Sequence, residues 1–286
     1  MIKTIKYFLQ SILIYILFSI CRVLGLKISR IVFSKIFSLV GPYFKSEKII
    51  KNNLNIFSKV AANLNGTEIE DRMWRNYGMT FVEYVFLNHF RKQNSQVVIK
   101  GVENLNGIIK EQKPVIFISG HFANFELMSM EITKKNIPLA TIYRPLNNFF
   151  LNPFMEYLRK KYVCPNQIKK GLNGVRMAMN YIQKKHCLAL MIDQRVSEGS
   201  KINFFNKPAF TTTLPAQLSL KFNLDIIPVY IERGKDDIFK IEFQKRINPN
   251  NYKDKFDLTT NLNQILEKMI IKNPNQWIWT HNRWKL

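Results

Sequence analysis

The hydrophobic positions divide the chain into an apolar N-terminal run, a helical stretch and a region of alternating strand and helix patterns. Residues 7–21 carry no charge, and Lys6 and Arg22 flank them. As a helix this run rises about 22 Å, short of the roughly 30 Å hydrocarbon core, and residues 23–26 extend it to about twenty positions. No small-residue cleavage site follows it. The run therefore predicts an uncleaved membrane anchor that spans the bilayer or lies in its interface, with a buried core helix as the alternative.

The next part of the chain has helical periodicity. Residues 28–44 mix apolar and basic positions at near-helical spacing, which predicts an amphipathic helix at a membrane interface. Apolar residues recur at helical spacing over residues 69–92, until the polar run 93–96. The chain therefore divides into three predicted parts: an N-terminal membrane anchor (1–27), an interfacial and helical segment (28–98) and an α/β domain (99–286).

Short apolar runs alternate with helical patterns after residue 96, which is typical of a sheet layered with helices. The predicted strands are 115–119, 139–143, 187–192, 226–231 and 239–243. The predicted helices are 122–134, 153–161, 173–184, 213–222 and 258–271. Since several strands are continuously apolar, we expect them to be buried on both faces. The fold class is α/β.

The charge balance of the chain indicates the kind of partner that it binds. The 286 residues include 43 Lys and Arg against 20 Asp and Glu, a net charge of +23, and 47% of them are hydrophobic, which excludes a disordered basic tail. Ten of the basic residues lie in positions 1–60, where Glu47 is the single acidic residue. No nucleic-acid-binding motif is present. The excess therefore favours an anionic membrane over nucleic acid, with the bulk of the protein on the cytoplasmic side.

The segment 120–126, GHFANFE, carries the candidate chemistry. A predicted buried strand leads into Gly120, so His121 lies in a strand-to-helix turn and Glu126 in the first turns of the following helix. From that turn the carboxylate can reach the imidazole, which predicts a general base, His121, oriented by Glu126. The position, at the carboxyl end of a strand, is where open α/β sheets bind ligands. A histidine that only caps the helix is the alternative interpretation.

This segment resembles the H-x4-D/E motif of glycerolipid acyltransferases. Together with later motifs it resembles the lipid A late acyltransferases, which add lauroyl or myristoyl chains. The resemblance covers the chain from about residue 100 to 286. The later matches are, in order, Tyr143-Arg144-Pro145, Asp193-Gln194, 203–213, 227–233 and 274–284. The resemblance implies a glycerolipid-acyltransferase-like sheet behind an N-terminal membrane anchor and helical segment.

The resemblance also implies a reaction. The protein would be an O-acyltransferase on the cytoplasmic side of a bacterial inner membrane, with acyl carrier protein as donor and a lipid A precursor as acceptor. His121 would deprotonate the acceptor hydroxyl and Glu126 would orient it. Arg144, Asp193 and Arg283 would be substrate-binding residues, Arg144 through a lipid phosphate or the oxyanion. No metal or redox cofactor is implied.

Three alternatives remain open at this point. An acyltransferase with the same dyad could use a glycerophospholipid or another glycolipid as its acceptor. Acyl-CoA could replace acyl carrier protein as the donor. Outside the enzymes, the chain could be a membrane-anchored basic binding protein in which the spacing of His121 and Glu126 is accidental.

Overall fold

Helices occupy the first third of the molecule. The computed structural model describes residues 2–61, 65–92 and 96–285. The helices before the sheet are α1 (Ile2–Phe44), α2 (Glu47–Ser58), α3 (Gly66–Glu83) and α4 (Leu87–Arg91). A 3-10 turn joins α3 to α4, so the predicted helix 69–92 is interrupted. Of the predicted polar run 93–96, residues 93–95 lie outside the described ranges.

The sheet begins with β1, close to the predicted start of the α/β domain. The strands are β1 (Val97–Lys100), β2 (Ile116–Ser119), β3 (Leu139–Tyr143), β4 (Asn166–Lys169), β5 (Cys187–Met191), β6 (Ser200–Phe204), β7 (Lys207–Thr211), β8 (Ile226–Arg233) and β9 (Phe239–Phe243). The helices between and after them are α5 (Glu103–Glu111), α6 (Glu126–Lys134), α7 (Asn152–Leu158), α8 (Leu172–Gln183), α9 (Leu214–Phe222) and α10 (Lys255–Lys272). The α/β fold class is confirmed.

Seven strands form one mixed sheet in the order β1-β9-β8-β2-β5-β3-β4, and β6 and β7 form a separate hairpin. Strands β8, β2, β5, β3 and β4 run parallel, whereas β9 is antiparallel to β8. In the register of β2 with β5, Ser119 lies opposite Met191. The chain therefore leaves β2 and β5 at the same edge of the sheet. His121 comes two residues after Ser119, and Asp193 comes two residues after Met191.

Helix α1 has two halves that meet at Gly25, whose φ of 77° is outside the helical region. Among the described helices, α1 is the one whose length and composition allow it to cross a membrane. The half after Gly25 packs one face, including Arg30 and Phe33, against the protein, while Ile31 and Leu39 on other faces are exposed. The interfacial helix predicted over 28–44 is therefore also a packing partner of α3.

Close approach of α1 and α3 depends on Gly78. A Cβ placed at Gly78 would overlap the Phe33 carbonyl oxygen and lie 2.9 Å from Phe37 Cβ. We expect Gly78→Ala to lower the free energy of unfolding by about 1–3 kcal/mol, because a carbonyl in a packed helix cannot move aside. Urea denaturation in detergent micelles measures this. Gly66→Ala is the matched control, since the nearest atom to its Cβ, Leu54 Cδ1, is 3.8 Å away; an equal loss in both variants would contradict the explanation.

A buried ionic cluster joins α1, α3 and β8. The Glu83 carboxylate accepts from Arg30 Nε at 2.7 Å and from both terminal nitrogens of Arg233. Asn124, in the turn after His121, donates to Glu83 Oε2 at 2.9 Å. Burial alone would raise the pKa of Glu83, but the two guanidinium groups lower it, so the carboxylate is ionised. The same cluster therefore holds the second half of α1 and the turn that carries His121.

Candidate active site

His121 and Asp193 meet at the carboxyl ends of β2 and β5. Asp193 Oδ1 lies 2.8 Å from His121 Nδ1, and Oδ2 accepts from the His121 backbone N–H at 2.9 Å. Trp277 Nε1 also donates to Oδ2, at 2.9 Å. With three hydrogen bonds to two oxygens, the carboxylate fixes both the ring and the backbone of His121.

Burial and charge act in opposite directions on this pair. Burial favours the neutral imidazole, but the charge and hydrogen bond of Asp193 outweigh it and raise the pKa of His121 above 6.5. Burial also opposes ionisation of Asp193, yet its contacts with His121 and Trp277 lower its pKa to about 2. An ionised carboxylate only accepts hydrogen bonds, so Nδ1 of His121 carries a proton. In the neutral ring Nε2 is therefore the nitrogen that can accept one.

A narrow cleft opens at His121 between α3 and the C-terminal segment. Its walls are His121, Met73, Asn76, Tyr77, Thr80, Ala123, Phe125, Gln276, Trp277 and Ile278. The cleft has a volume of about 30 Å³, room for little more than a water molecule. A ligand larger than this therefore enters only if wall side chains move. The His121 side chain is 21% exposed, enough to meet a hydroxyl group there.

Glu126 does not hold His121 in this structure. Its hydrogen bonds among the described residues go to Tyr84 OH, at 2.8 Å, and to Arg159 Nε, at 2.7 Å. The prediction that Glu126 orients the imidazole is corrected on this point, since Asp193 occupies Nδ1. The reason is the turn between them, in which Ala123 has a left-handed φ of 42° and α6 begins only at Glu126. Glu126 still contributes through its charge, which raises the pKa of His121.

Arg159 also lies at this site, and the sequence pattern does not predict its position there. It begins a π-helical turn, Arg159–Val163, directly after α7. Its guanidinium bonds Glu126 and Tyr84 and lies 5.8 Å from the ring centroids of both Tyr84 and Tyr143. Single-turn π segments occur frequently at functional sites, but they leave no clear signal in a sequence. Arg159 and Glu126 thus place a positive and a negative charge close enough to His121 to influence its pKa.

The three predicted substrate-binding residues lie in different environments. Arg144 follows β3 at the same edge of the sheet as His121 and is exposed, and its substrate-binding role stays a prediction. Asp193 is at the site but fully buried beneath His121, so it positions the histidine and does not face a substrate. Arg283 is also fully buried, and its guanidinium donates to Phe210 O at 2.8 Å and Thr211 Oγ1 at 2.7 Å. Neither Asp193 nor Arg283 is therefore exposed to a ligand in this structure, and their substrate-binding roles stay predictions.

The C-terminal segment holds the loop after β5 from a second side. His281 Nε2 accepts from the Arg195 backbone N–H at 2.9 Å, two residues beyond Asp193. Burial lowers the pKa of His281 to about 4, so the ring is neutral. Asn53 fixes the segment in turn by donating to the carbonyls of Trp279 and His281 at 2.8 Å. Hydrogen bonds from Trp277 to Asp193 and from Arg195 to His281 therefore hold the loop that carries Asp193 in place.

Comparison with known proteins identifies the family. The chain matches the family described as "Bacterial lipid A biosynthesis acyltransferase" over residues 2–286. The chain belongs to this family. The family resemblance and the acyltransferase class predicted from the sequence are thereby confirmed, and the binding-protein alternative loses its support.

Relatives of this acyltransferase family are similar at low identity. A lipid A biosynthesis acyltransferase of Haemophilus influenzae is 27% identical over 188 residues, which cover 64% of this chain and 60% of that protein. A lipid A biosynthesis palmitoleoyltransferase of Escherichia coli is 24% identical over 260 residues, 88% of this chain and 83% of that protein. A lipid A biosynthesis acyltransferase of Shigella flexneri matches with the same identity and coverage.

The pairing of Glu126 with Arg159 gives a prediction for this acyltransferase. We expect Glu126→Gln to lower the free energy of unfolding by about 2 kcal/mol, because a largely buried guanidinium loses its counter-charge. The substitution also shifts the acid limb of the pH–rate profile to lower pH. The Glu126 charge, which raises the pKa of His121, is lost, whereas the Arg159 charge, which lowers that pKa, remains. Urea denaturation and kcat/KM against pH measure the two effects.

An exposed pair on one helix provides the control for that variant. Glu47 and Lys51 on α2 form an ion pair with side chains more than 60% exposed. Glu47→Gln is expected to leave stability nearly unchanged, because water screens this exposed pair, and to leave the pH profile unchanged. A Glu126→Gln enzyme with unaltered stability and pH profile would show that the Arg159 pairing has no influence on His121.

Proposed function

We propose that this protein transfers a fatty acyl chain from acyl carrier protein to a hydroxyl of a lipid A precursor, at the cytoplasmic face of a bacterial inner membrane. The observation that carries the proposal is the His121–Asp193 pair at the carboxyl ends of neighbouring parallel strands. Family membership and the names of the relatives support the lipid acceptor. The exposed apolar surface of α1 supports the membrane setting.

His121 is the general base of the proposed reaction. Nδ1–H donates to Asp193, so Nε2 takes the proton of the acceptor hydroxyl as its oxygen attacks the thioester carbonyl carbon. The new C–O bond forms, the C–S bond breaks, and the proton passes from Nε2 to the departing thiolate. Asp193 stabilises the imidazolium that exists between the two proton transfers.

Arg144 and the Glu126–Arg159 pair have supporting roles in this proposal. Arg144 is exposed at the carboxyl end of β3, the strand that pairs with β5. A planar guanidinium with five donors suits a phosphate of the acceptor lipid. Glu126 and Arg159 together add little net charge near His121, so the imidazole keeps a pKa set mainly by burial and Asp193.

The test is acyl transfer by the purified protein in mixed detergent micelles. Acyl carrier proteins loaded with chains of different length are the donors, a lipid A precursor is the acceptor, and mass spectrometry detects a product heavier by one acyl group. Parallel reactions replace the acceptor with a lysoglycerophospholipid or the donor with acyl-CoA. Transfer to the lysoglycerophospholipid alone would overturn the proposed acceptor, and transfer from acyl-CoA alone would overturn the proposed donor.

A further inference from the structure

The first half of α1 is bonded to the segment that follows β3 at the active-site edge. Ser11 Oγ donates to Asn148 Oδ1 at 2.9 Å, and Asn148 Nδ2 donates to the Tyr7 carbonyl at 2.8 Å. One turn further along, Tyr15 OH donates to the Phe150 carbonyl at 3.0 Å. We call residues 145–151, between Arg144 and α7, the docking loop. The Asn148 side chain and the Phe150 carbonyl of the loop are thus bonded to the helix that was predicted as a membrane anchor.

Aromatic contacts extend the same attachment along the helix. Tyr7 and Phe8 contact Phe149 and Phe150 of the docking loop, with ring centroids 6.1 and 5.4 Å apart. Tyr15 and Phe18 contact Phe154, in the first turn of α7, at 5.5 and 6.1 Å. The attached residues extend from 7 to 18, a rise of about 17 Å along the axis, more than half the thickness of a hydrocarbon core.

The outer face of this assembly is apolar and exposed. Phe149 of the docking loop is 54% exposed, and Leu146 beside it is 37% exposed. The exposed apolar residues on the first half of α1 are Ile2, Ile5, Phe8, Leu9, Ile12, Leu13, Tyr15, Ile16, Ile20, Val23 and Leu24. Exposed basic residues border them, namely Lys3, Lys6, Arg22 and Arg144. An apolar face edged by positive charge fits a bilayer surface with anionic headgroups.

We propose that the first half of α1 lies in the plane of the membrane interface and that the docking loop enters the same leaflet beside it. The inference rests on the membrane setting of the proposed function, and it decides between the spanning and interfacial arrangements. If α1 crossed the bilayer while keeping these contacts, the docking loop and the start of α7 would enter the hydrocarbon core. Irregular backbone facing lipid at that depth is strongly unfavourable. An interfacial helix keeps every contact and exposes only the apolar face to lipid.

This arrangement brings lipid to the catalytic edge of the sheet. The docking loop continues from β3, which pairs with β5, the strand that leads to Asp193. The membrane-contacting surface and His121 therefore belong to the same edge. An acceptor lipid bound at Arg144 reaches the site while its chains remain in the leaflet.

Nitroxide labels on introduced cysteines test the proposal in the full-length protein. The labelled positions are Phe149→Cys in the docking loop, Leu13→Cys on α1 and, as control, Ile109→Cys on α5. Ile109 is 55% exposed and precedes β2, at the sheet edge opposite the site. The native cysteines, Cys21, Cys164 and Cys187, are buried, and an unsubstituted sample measures any labelling of them. Collision with oxygen and with a water-soluble nickel complex reports depth in vesicles of phosphatidylcholine and phosphatidylglycerol at 7:3.

We expect the labels at 149 and 13 to lie at similar, shallow depths below the headgroups, and the label at 109 to remain in water. A label at 149 as accessible to nickel as the one at 109 would overturn the proposal, and so would a label at 13 near the bilayer centre. Phe149→Ser provides a second measurement without a label: its partition onto the same vesicles should fall about fivefold, whereas Ile109→Ser should not change it. An unchanged partition of Phe149→Ser would also contradict docking by the loop.

Acyl transfer in detergent micelles separates this inference from the proposed function. An enzyme that transfers acyl chains but keeps position 149 in water refutes only the docking arrangement. A protein whose loop inserts but which acylates no lipid refutes only the proposed reaction.

Discussion

Replacing His121 with alanine is expected to lower kcat for acyl transfer by about 10²–10⁴-fold, the range in which a positioned general base contributes. Among the described residues, His121 is the histidine whose ring is hydrogen-bonded to Asp193, and its Nε2 is left to accept a proton because Nδ1 is bonded. KM for either substrate should change much less, because the side chain acts on the hydroxyl proton and not on the lipid chains. Steady-state rates in mixed micelles, with product detected by mass spectrometry, measure the effect.

His186→Ala is the matched control for that experiment. His186 lies at the amino end of β5, on the sheet edge opposite the site, where its Nδ1 is 3.1 Å from the Lys184 carbonyl. We expect this variant to retain full activity. Undiminished transfer by the His121→Ala enzyme, measured beside it, would exclude His121 as the base and leave the reaction to another group.

The sequence pattern was informative where strands are buried on both faces. The five predicted strands correspond to β2, β3, β5, β8 and β9. Strands β2, β5 and β8 are nearly continuously buried, as a covered parallel sheet requires, whereas β9 alternates buried and more exposed residues. The edge strands β1 and β4 were missed, because VVIK and NQIK are short and partly exposed. The β6–β7 hairpin was missed too: its turn residues, Phe205 and Asn206, adopt left-handed φ values of 51° and 56° without the usual glycine.

The active site was predictable in part, and the missing information was the order of the strands. His121 and Asp193 were both identified as residues that follow buried strands, but nothing in one sequence states that β2 and β5 are neighbours. Glu126 is nearer to His121 along the chain, so local spacing alone predicts it as the partner. Its hydrogen-bond partners, Tyr84 and Arg159, come from the 3-10 turn after α3 and from a π-helical turn, both distant in sequence. Local spacing thus identifies His121, the proposed base, but not the carboxylate that is bonded to it.

Asp193→Asn removes the charge of the carboxylate but keeps the size of the side chain. The substitution therefore tests the orienting role of Asp193 apart from its packing. We expect kcat to fall by about 10²–10⁴-fold, because an asparagine amide that faces Nδ1 can donate to it and move the ring proton to Nε2, where it blocks base catalysis. The Glu126→Gln enzyme should lose less, since Glu126 influences His121 only through its charge.

The pH dependence of the Asp193→Asn enzyme distinguishes this role from simple destabilisation. In the unaltered enzyme the base is active only when neutral, and Asp193 raises the pKa of His121 above 6.5, so the acid limb of kcat/KM lies above that value. Without the negative charge, burial is the larger influence and lowers the pKa, so the limb moves to lower pH even as the maximal rate falls. Trp277→Phe, which removes one hydrogen bond from Asp193 and keeps its charge, should leave the limb nearly in place. An Asp193→Asn profile with an unshifted limb would mean that another group determines the protonation of His121.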